Sequence, residues 1–143
     1  MTAPLVLLLH PQPAARDRLQ RLLRRCCAGC DVAAVADLPE LERQLGLPGP
    51  VGAVRAPAVI LVDLPPEHGV PLLGALRTHA PLAAVPVLAL AEAADRRAQE
   101  AWYRGGANSV MGRGGSDAEM EAKLQRTVAY WTTVNVSNRY SRT

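Results

Sequence analysis

With 143 residues, 49% of them hydrophobic and 20% charged, the chain can close one core that hides about two-thirds of its unfolded surface, and no second domain is expected. The net charge is +3 and the 16 basic residues, of which only Lys123 is lysine, are scattered and not gathered on one face or tail, so no nucleic-acid partner is expected. The longest apolar run near the start, Leu5 to Leu9, is too short for a secretory signal and nothing later approaches the ~20 apolar residues of a membrane span; a cytoplasmic protein with no membrane partner is expected.

Pro4 to Leu9 reads as a first strand, followed by His10-Pro11-Gln12-Pro13 and by a helix with the stripe Leu19, Leu22, Leu23, Cys26. Cys26-Cys27-Ala28-Gly29-Cys30 contains a Cys-x-x-Cys spacing, but it follows a helix and meets its negative end, where thiolate is disfavoured. Zinc would need further ligands that His10, His68 and His79 do not supply at matching spacing, so the cysteines read as small packing residues. Asp31 to Ala36 is a second strand and Leu38, Leu41 and Leu45 mark a second helix, after which Gly46 to Pro57 forms a long irregular connection. Ala58 to Val62 is the strongest strand signal and ends on Asp63. Leu72, Leu73 and Leu76 mark a third helix, Val85 to Leu90 a fourth strand, Ala98, Ala101 and Trp102 a fourth helix, and Ala107 to Met111 a fifth strand. Ser116-Asp117-Ala118-Glu119 is a capping box, and Met120, Leu124, Val128 and Trp131 repeat on one face of a last helix that should run past Ala129. The polar residues 137–143 have nothing to bury and are expected to fray, leaving 1–136 as the domain.

Strands alternating with helices imply βαβ units, hence an α/β fold: a doubly wound, five-stranded parallel sheet. Right-handed crossovers point to strand order 2-1-3-4-5. Such sheets place ligands at the carboxyl ends of their strands, which nominates His10 to Gln12, Asp63 to Pro66, Ala91 to Glu92, and Arg113. His10-Pro11-Gln12-Pro13 offers neither glycines nor hydroxyls to cradle a phosphate, so a flavin or dinucleotide is not expected.

Four segments, Val59-Ile60-Leu61-Val62-Asp63-Leu64, Val85-Pro86-Val87-Leu88-Ala89-Leu90, Gly106-Ala107-Asn108-Ser109, and Val128-Ala129-Tyr130-Trp131 with Val134-Asn135, carry a likeness over nearly the whole chain. In order and spacing they resemble the receiver domain of two-component response regulators, with the CheY-like fold, of the single-domain type with an extended last helix. The resemblance implies that Asp63 is the phosphoacceptor for a histidine kinase, and that Mg²⁺, a hydroxyl and a lysine should assist it by neutralising the phosphoryl oxygens. Residue by residue, however, the acidic pair falls on His10-Pro11, the hydroxyl on Ala91, the lysine on Arg113 and the switching aromatic on Val110. Asp63 and the Pro65 carbonyl are the metal ligands that remain, so Mg²⁺ binding should be weak. The loop from Asp63 to Gly69 is shorter than the family's usual one.

Two readings of Asp63 stand side by side: a phosphoacceptor with impaired metal and switch residues, and a static partner of Arg113, since an acid and a base at neighbouring strand tips satisfy each other without any function. The same reading leaves His10 as a polar loop residue. The corresponding functions are a receiver in phosphorelay signalling and a phosphorylation-independent pseudo-receiver that acts by protein contact. No enzymatic activity is expected. The partners expected are a histidine kinase or other signalling protein, with Tyr130 and Trp131 at a contact surface and a homodimer as one form of it.

Overall fold

In the computed structural model, residues 3–47 and 55–134 are described. Five strands, β1 (Leu5–Leu9), β2 (Asp31–Val35), β3 (Val59–Val62), β4 (Val87–Glu92) and β5 (Ser109–Arg113), alternate with helices α1 (Pro13–Cys26), α2 (Leu38–Leu45), α3 (Pro66–Arg77), α4 (Arg96–Arg104) and α5 (Asp117–Ala129). The sheet is parallel throughout with order β2-β1-β3-β4-β5. The doubly wound, CheY-like α/β architecture is therefore the one expected from the alternation of apolar runs.

The side-chain period of two sorts the strand residues between the layers. Leu7, Leu9, Ile60, Val62, Val87 and Ala89 pack with Leu41 and Leu45 of α2, Leu73 and Leu76 of α3, and Trp102 of α4. Their neighbours Val6, Leu8, Val59, Leu61, Leu88 and Leu90 pack on the other side with Leu19, Leu22 and Leu23 of α1 and Met120, Leu124 and Val128 of α5. β1 and β3 are buried from end to end, which is why they read as unbroken apolar runs and not as alternation.

β4 and β5 each begin and end about two residues later than the apolar runs indicate. Pro86 has no N–H to enter the ladder, and Ala107 N–H is spent on the Trp102 carbonyl at the end of α4. Asn108, in the Gly-Ala-Asn-Ser segment, accepts at Oδ1 from Val87 N (2.8 Å) and Arg77 Nη2 (3.1 Å), tying α3, β4 and the entrance of β5 together at the end of the sheet opposite the strand tips. The caps are also local chemistry: Asp37 and Asp95 accept from the third residue beyond them, and Ser116 with Glu119 completes the reciprocal capping box. Past Ala129 the last helix continues as a π turn, Tyr130–Val134. Most of the irregular connection, residues 48–54, and the tail 137–143 lie outside the described residues. Among those described, no helix is long and apolar enough to cross a membrane.

α3 and α4 approach each other through a notch. Gly69 lies against the Trp102 ring so closely that a Cβ there would stand 2.0 Å from Cη2. Trp102 is fully buried and has no room to recoil, and its Nε1 lacks an acceptor. Gly69→Ala is therefore expected to destabilise by about 1–3 kcal/mol or more, as overpacked cores do. Chemical denaturation checks this, with Gly74→Ala as the control, because a Cβ at Gly74 meets nothing within 4 Å.

Candidate functional site at the strand tips

Counting in twos from the residues that face α1 and α5 leads to His10 after β1, Asp63 after β3, Glu92 at the end of β4 and Arg113 at the end of β5. The register completes the alignment: Leu9 lies opposite Val62, which brings His10 beside Asp63, and Glu92 lies opposite Arg113. Asp63 N–H donates to the Leu9 carbonyl at 3.0 Å and His10 N–H to the Val35 carbonyl at 3.0 Å, so both residues are held by the sheet and not by mobile loops.

The four side chains form one ionic cluster. Arg113 Nη1 donates to Asp63 Oδ1. His10 Nε2 stands 3.3 Å from Asp63 Oδ2. Arg113 Nη2 stands 3.4 Å from Glu92 Oε1. His10 Nδ1 accepts from Gln12 N–H at 3.1 Å, which places the ring proton of the neutral imidazole on Nε2 and aims it at Asp63. Arg16 Nη1 in turn donates to the His10 carbonyl at 3.0 Å. The Asp63 side chain is 4% exposed and that of Arg113 is 40% exposed, so the pair reaches from the core to solvent.

Burial pushes the Asp63 carboxyl up from its ordinary value, against the pull of Arg113 and His10. That opposition shows how much desolvation the partners have to offset.

His10 thus corrects the expectation of a polar loop residue: it is buried and supplies one of the two contacts to Asp63. The signal for it lay in parity with Leu8, which a reading of the loop by composition passes over. Pro11 is exposed at the mouth of the cleft, and Ala91 is buried and presents a methyl where a hydroxyl was sought. The Pro65 carbonyl, expected as a weak metal ligand, is the N-cap acceptor of α3, bonded to His68 N–H at 3.0 Å and Gly69 N–H at 2.9 Å. The short loop after Asp63 causes this, since α3 starts three residues later and draws the carbonyl into its first turn. With that oxygen turned inward, both Asp63 oxygens met by cationic or N–H groups, and no cluster of three metal-ligating side chains among the described residues, the residues present do not fit Mg²⁺.

The tips open into a cleft of about 1190 Å³ that extends from α1 across to α3 and α4. The cysteines lie elsewhere. Cys27 is buried, Cys26 and Cys30 are half-buried, and burial raises all three thiols, Cys27 to about 12. They are packing residues with little thiolate. At the far end of α5, Trp131 packs against the α1–α5 side of the core, while Tyr130 is exposed and meets the Trp131 ring edge-on at 5.0 Å.

Neither a protein-family model nor a curated protein matches the sequence. Solved structures do. A response regulator in red light signalling of R. palustris is 18% identical with a TM-score of 0.75, covering 91% of this chain and 94% of that one. A phosphorylated cyanobacterial phytochrome response regulator is 18% identical with a TM-score of 0.73, covering 93% and 96%. The receiver domain of a sensor histidine kinase from Pseudomonas aeruginosa, solved with a magnesium ion coordinated in its active-site cleft, is 24% identical with a TM-score of 0.64, covering 87% and 97%. At this identity the likeness establishes the fold, that of the CheY-like receiver domains.

The pH dependence follows from the sign of the Asp63 shift. A carboxyl whose folded value lies above its unfolded one contributes stability that is complete below about pH 4 and is lost as the pH rises through the folded value. Measured against Asp63→Asn, which does not titrate there, the parent should lose relative stability over that window and then level off; denaturation midpoints of both proteins from pH 4 to 8 provide the check. At pH 7, Arg113→Ala should cost about 1–3 kcal/mol by leaving the buried carboxylate short of its cation, a loss discounted because Arg113 is partly exposed. Glu92→Gln, at the exposed end of the cluster, should cost under about 0.5 kcal/mol.

Proposed function

We propose that the chain is a receiver-type module of cytoplasmic signalling that works through protein contact, with Asp63 held in a fixed ionic cluster instead of serving as an efficient phosphoacceptor. The observation that carries this reading is the double engagement of Asp63, by Arg113 at one oxygen and His10 at the other. Attack on a phosphoryl donor needs a free carboxylate oxygen and a metal to neutralise the incoming charge. Here the oxygens are committed and the ligand positions are His10, Pro11 and an inward-turned Pro65 carbonyl. The fold supports a partner from phosphorelay systems, a histidine kinase or another signalling protein.

The test is mass spectrometry after incubation with acetyl phosphate and Mg²⁺. The parent should show no labelling above Asp63→Asn. The combined variant His10→Glu, Pro11→Asp, Ala91→Thr, Arg113→Lys restores two carboxylates, the hydroxyl and the ammonium around Asp63, and should gain Mg²⁺-dependent labelling that the single changes do not give. A parent that labels as readily as the combined variant would establish the phosphoacceptor reading instead.

The contact surface proposed at the end of α5 divides into two roles. Trp131 packs on its own core, so its removal would confound stability with binding, whereas Tyr130 is 49% exposed. Tyr130→Ser is expected to weaken self-association, read by sedimentation, while shifting the melting temperature by less than about 2 °C.

A further inference from the structure

Away from the ionic cluster, the cleft runs on between α3 and α4 as a trough. The helices draw together where Gly69 admits Trp102 and where Gly105 meets Val70, a Cβ at Gly105 standing only 2.6 Å from Val70 Cγ1. Glu67 and Val70 line the trough from α3; Arg97, Ala98, Ala101 and Arg104 line it from α4. Positions 97, 101 and 104 recur at helical spacing, so a floor of methyl groups has an arginine at each end, their Cα atoms about 10 Å apart along the axis. Ala98 and Ala101 are half-buried, and Arg97 and Arg104 are exposed. Of the four arginines that line the cleft, Arg18 and Arg113 have carboxylate partners among the described residues, and Arg97 and Arg104 have none.

We infer that this trough docks an acidic amphipathic helix of a partner protein. Two carboxylates seven residues apart meet Arg97 and Arg104, and an aliphatic side chain between them packs on Ala98, Ala101 and Val70. Small residues on the floor let the incoming backbone come close, and the charge at the two ends sets its position along the trough. Charge also selects among occupants. Glu67 on the α3 side, with Glu92 and Asp95 nearby in the cleft, repels a continuous polyanion such as a nucleic acid, while a helix can present isolated acids to the arginines and a neutral or basic edge to Glu67. The chain's own last residues, 137–143, carry Arg139 and Arg142 and no acid, which is the wrong sign. The inference rests on the reading of the chain as a contact module and is independent of phosphate at Asp63.

The experiment titrates the full chain with a fluorescein-labelled helical peptide carrying Glu at two positions seven apart, Leu four residues after the first Glu, and Lys on the far edge. Its counterpart has Gln for both Glu. The Glu peptide should bind at least tenfold tighter than the Gln peptide. Arg97→Glu with Arg104→Glu should abolish its binding and instead capture a Lys-for-Glu peptide, and the milder Arg97→Gln with Arg104→Gln should weaken it at least fivefold. Arg96→Glu, an exposed change beside the trough, should alter it less than threefold. Thermal unfolding verifies that each variant is folded. Absence of binding up to millimolar peptide, equal binding of the Gln peptide, tighter binding of a DNA duplex, or a dimer of the chain that dissociates on reversal of the two arginines would each overturn the inference. None of these results depends on acetyl phosphate labelling of Asp63, so the two readings fail separately.

Discussion

A carboxylate buried at the end of a parallel strand has lost its water, and something must replace it. In this chain the replacement comes from two directions, a guanidinium from β5 and an imidazole N–H from the end of β1, and the sheet holds the three residues in register. The geometry around Asp63 is set by that requirement. Arg113 spans from the core to the surface and shares its other nitrogen with Glu92, so the cluster ends in solvent on a group that tolerates exposure. His10 is fixed by its own backbone neighbourhood, because Gln12 N–H occupies Nδ1 just before Pro13 begins α1. The result is an ionic cluster in which Asp63 is the most fully enclosed member and Glu92 the most exposed.

The layers of the fold were legible because burial on both faces leaves long apolar runs, as in Leu5–Leu9 and Val59–Val62, and because three helices carry their own start chemistry at Asp37, Asp95 and Ser116. Strand ends were less legible. Apolar character stops before hydrogen bonding does at Glu92 and Arg113, and it begins ahead of Pro86, which accepts from Ile60 N–H but has no N–H of its own to donate. Asp63 and Arg113 could be paired from sequence, since each stands at a strand tip and no other cation is placed to reach the acid. His10 could not, because its role depends on which face of β1 it continues and on a backbone N–H two residues ahead. The inward turn of the Pro65 carbonyl also escaped the sequence, being a consequence of α3 starting only three residues after Asp63. Both depend on backbone geometry that no single residue announces.

The notch at Gly69 gives the molecule an optical property as well as a packing one. The chain contains two tryptophans and no phenylalanine, and the two indoles sit in opposite layers: Trp102 is sealed between α3 and α4 with its N–H unpaired, and Trp131 is partly open to water at the end of α5. Their emission should therefore be spectrally separable, blue from the dry ring and red from the wet one. Any movement of α4 relative to α3 changes the surroundings of the first without touching the second, so intrinsic fluorescence distinguishes events in the trough from events at the terminal helix with no label added.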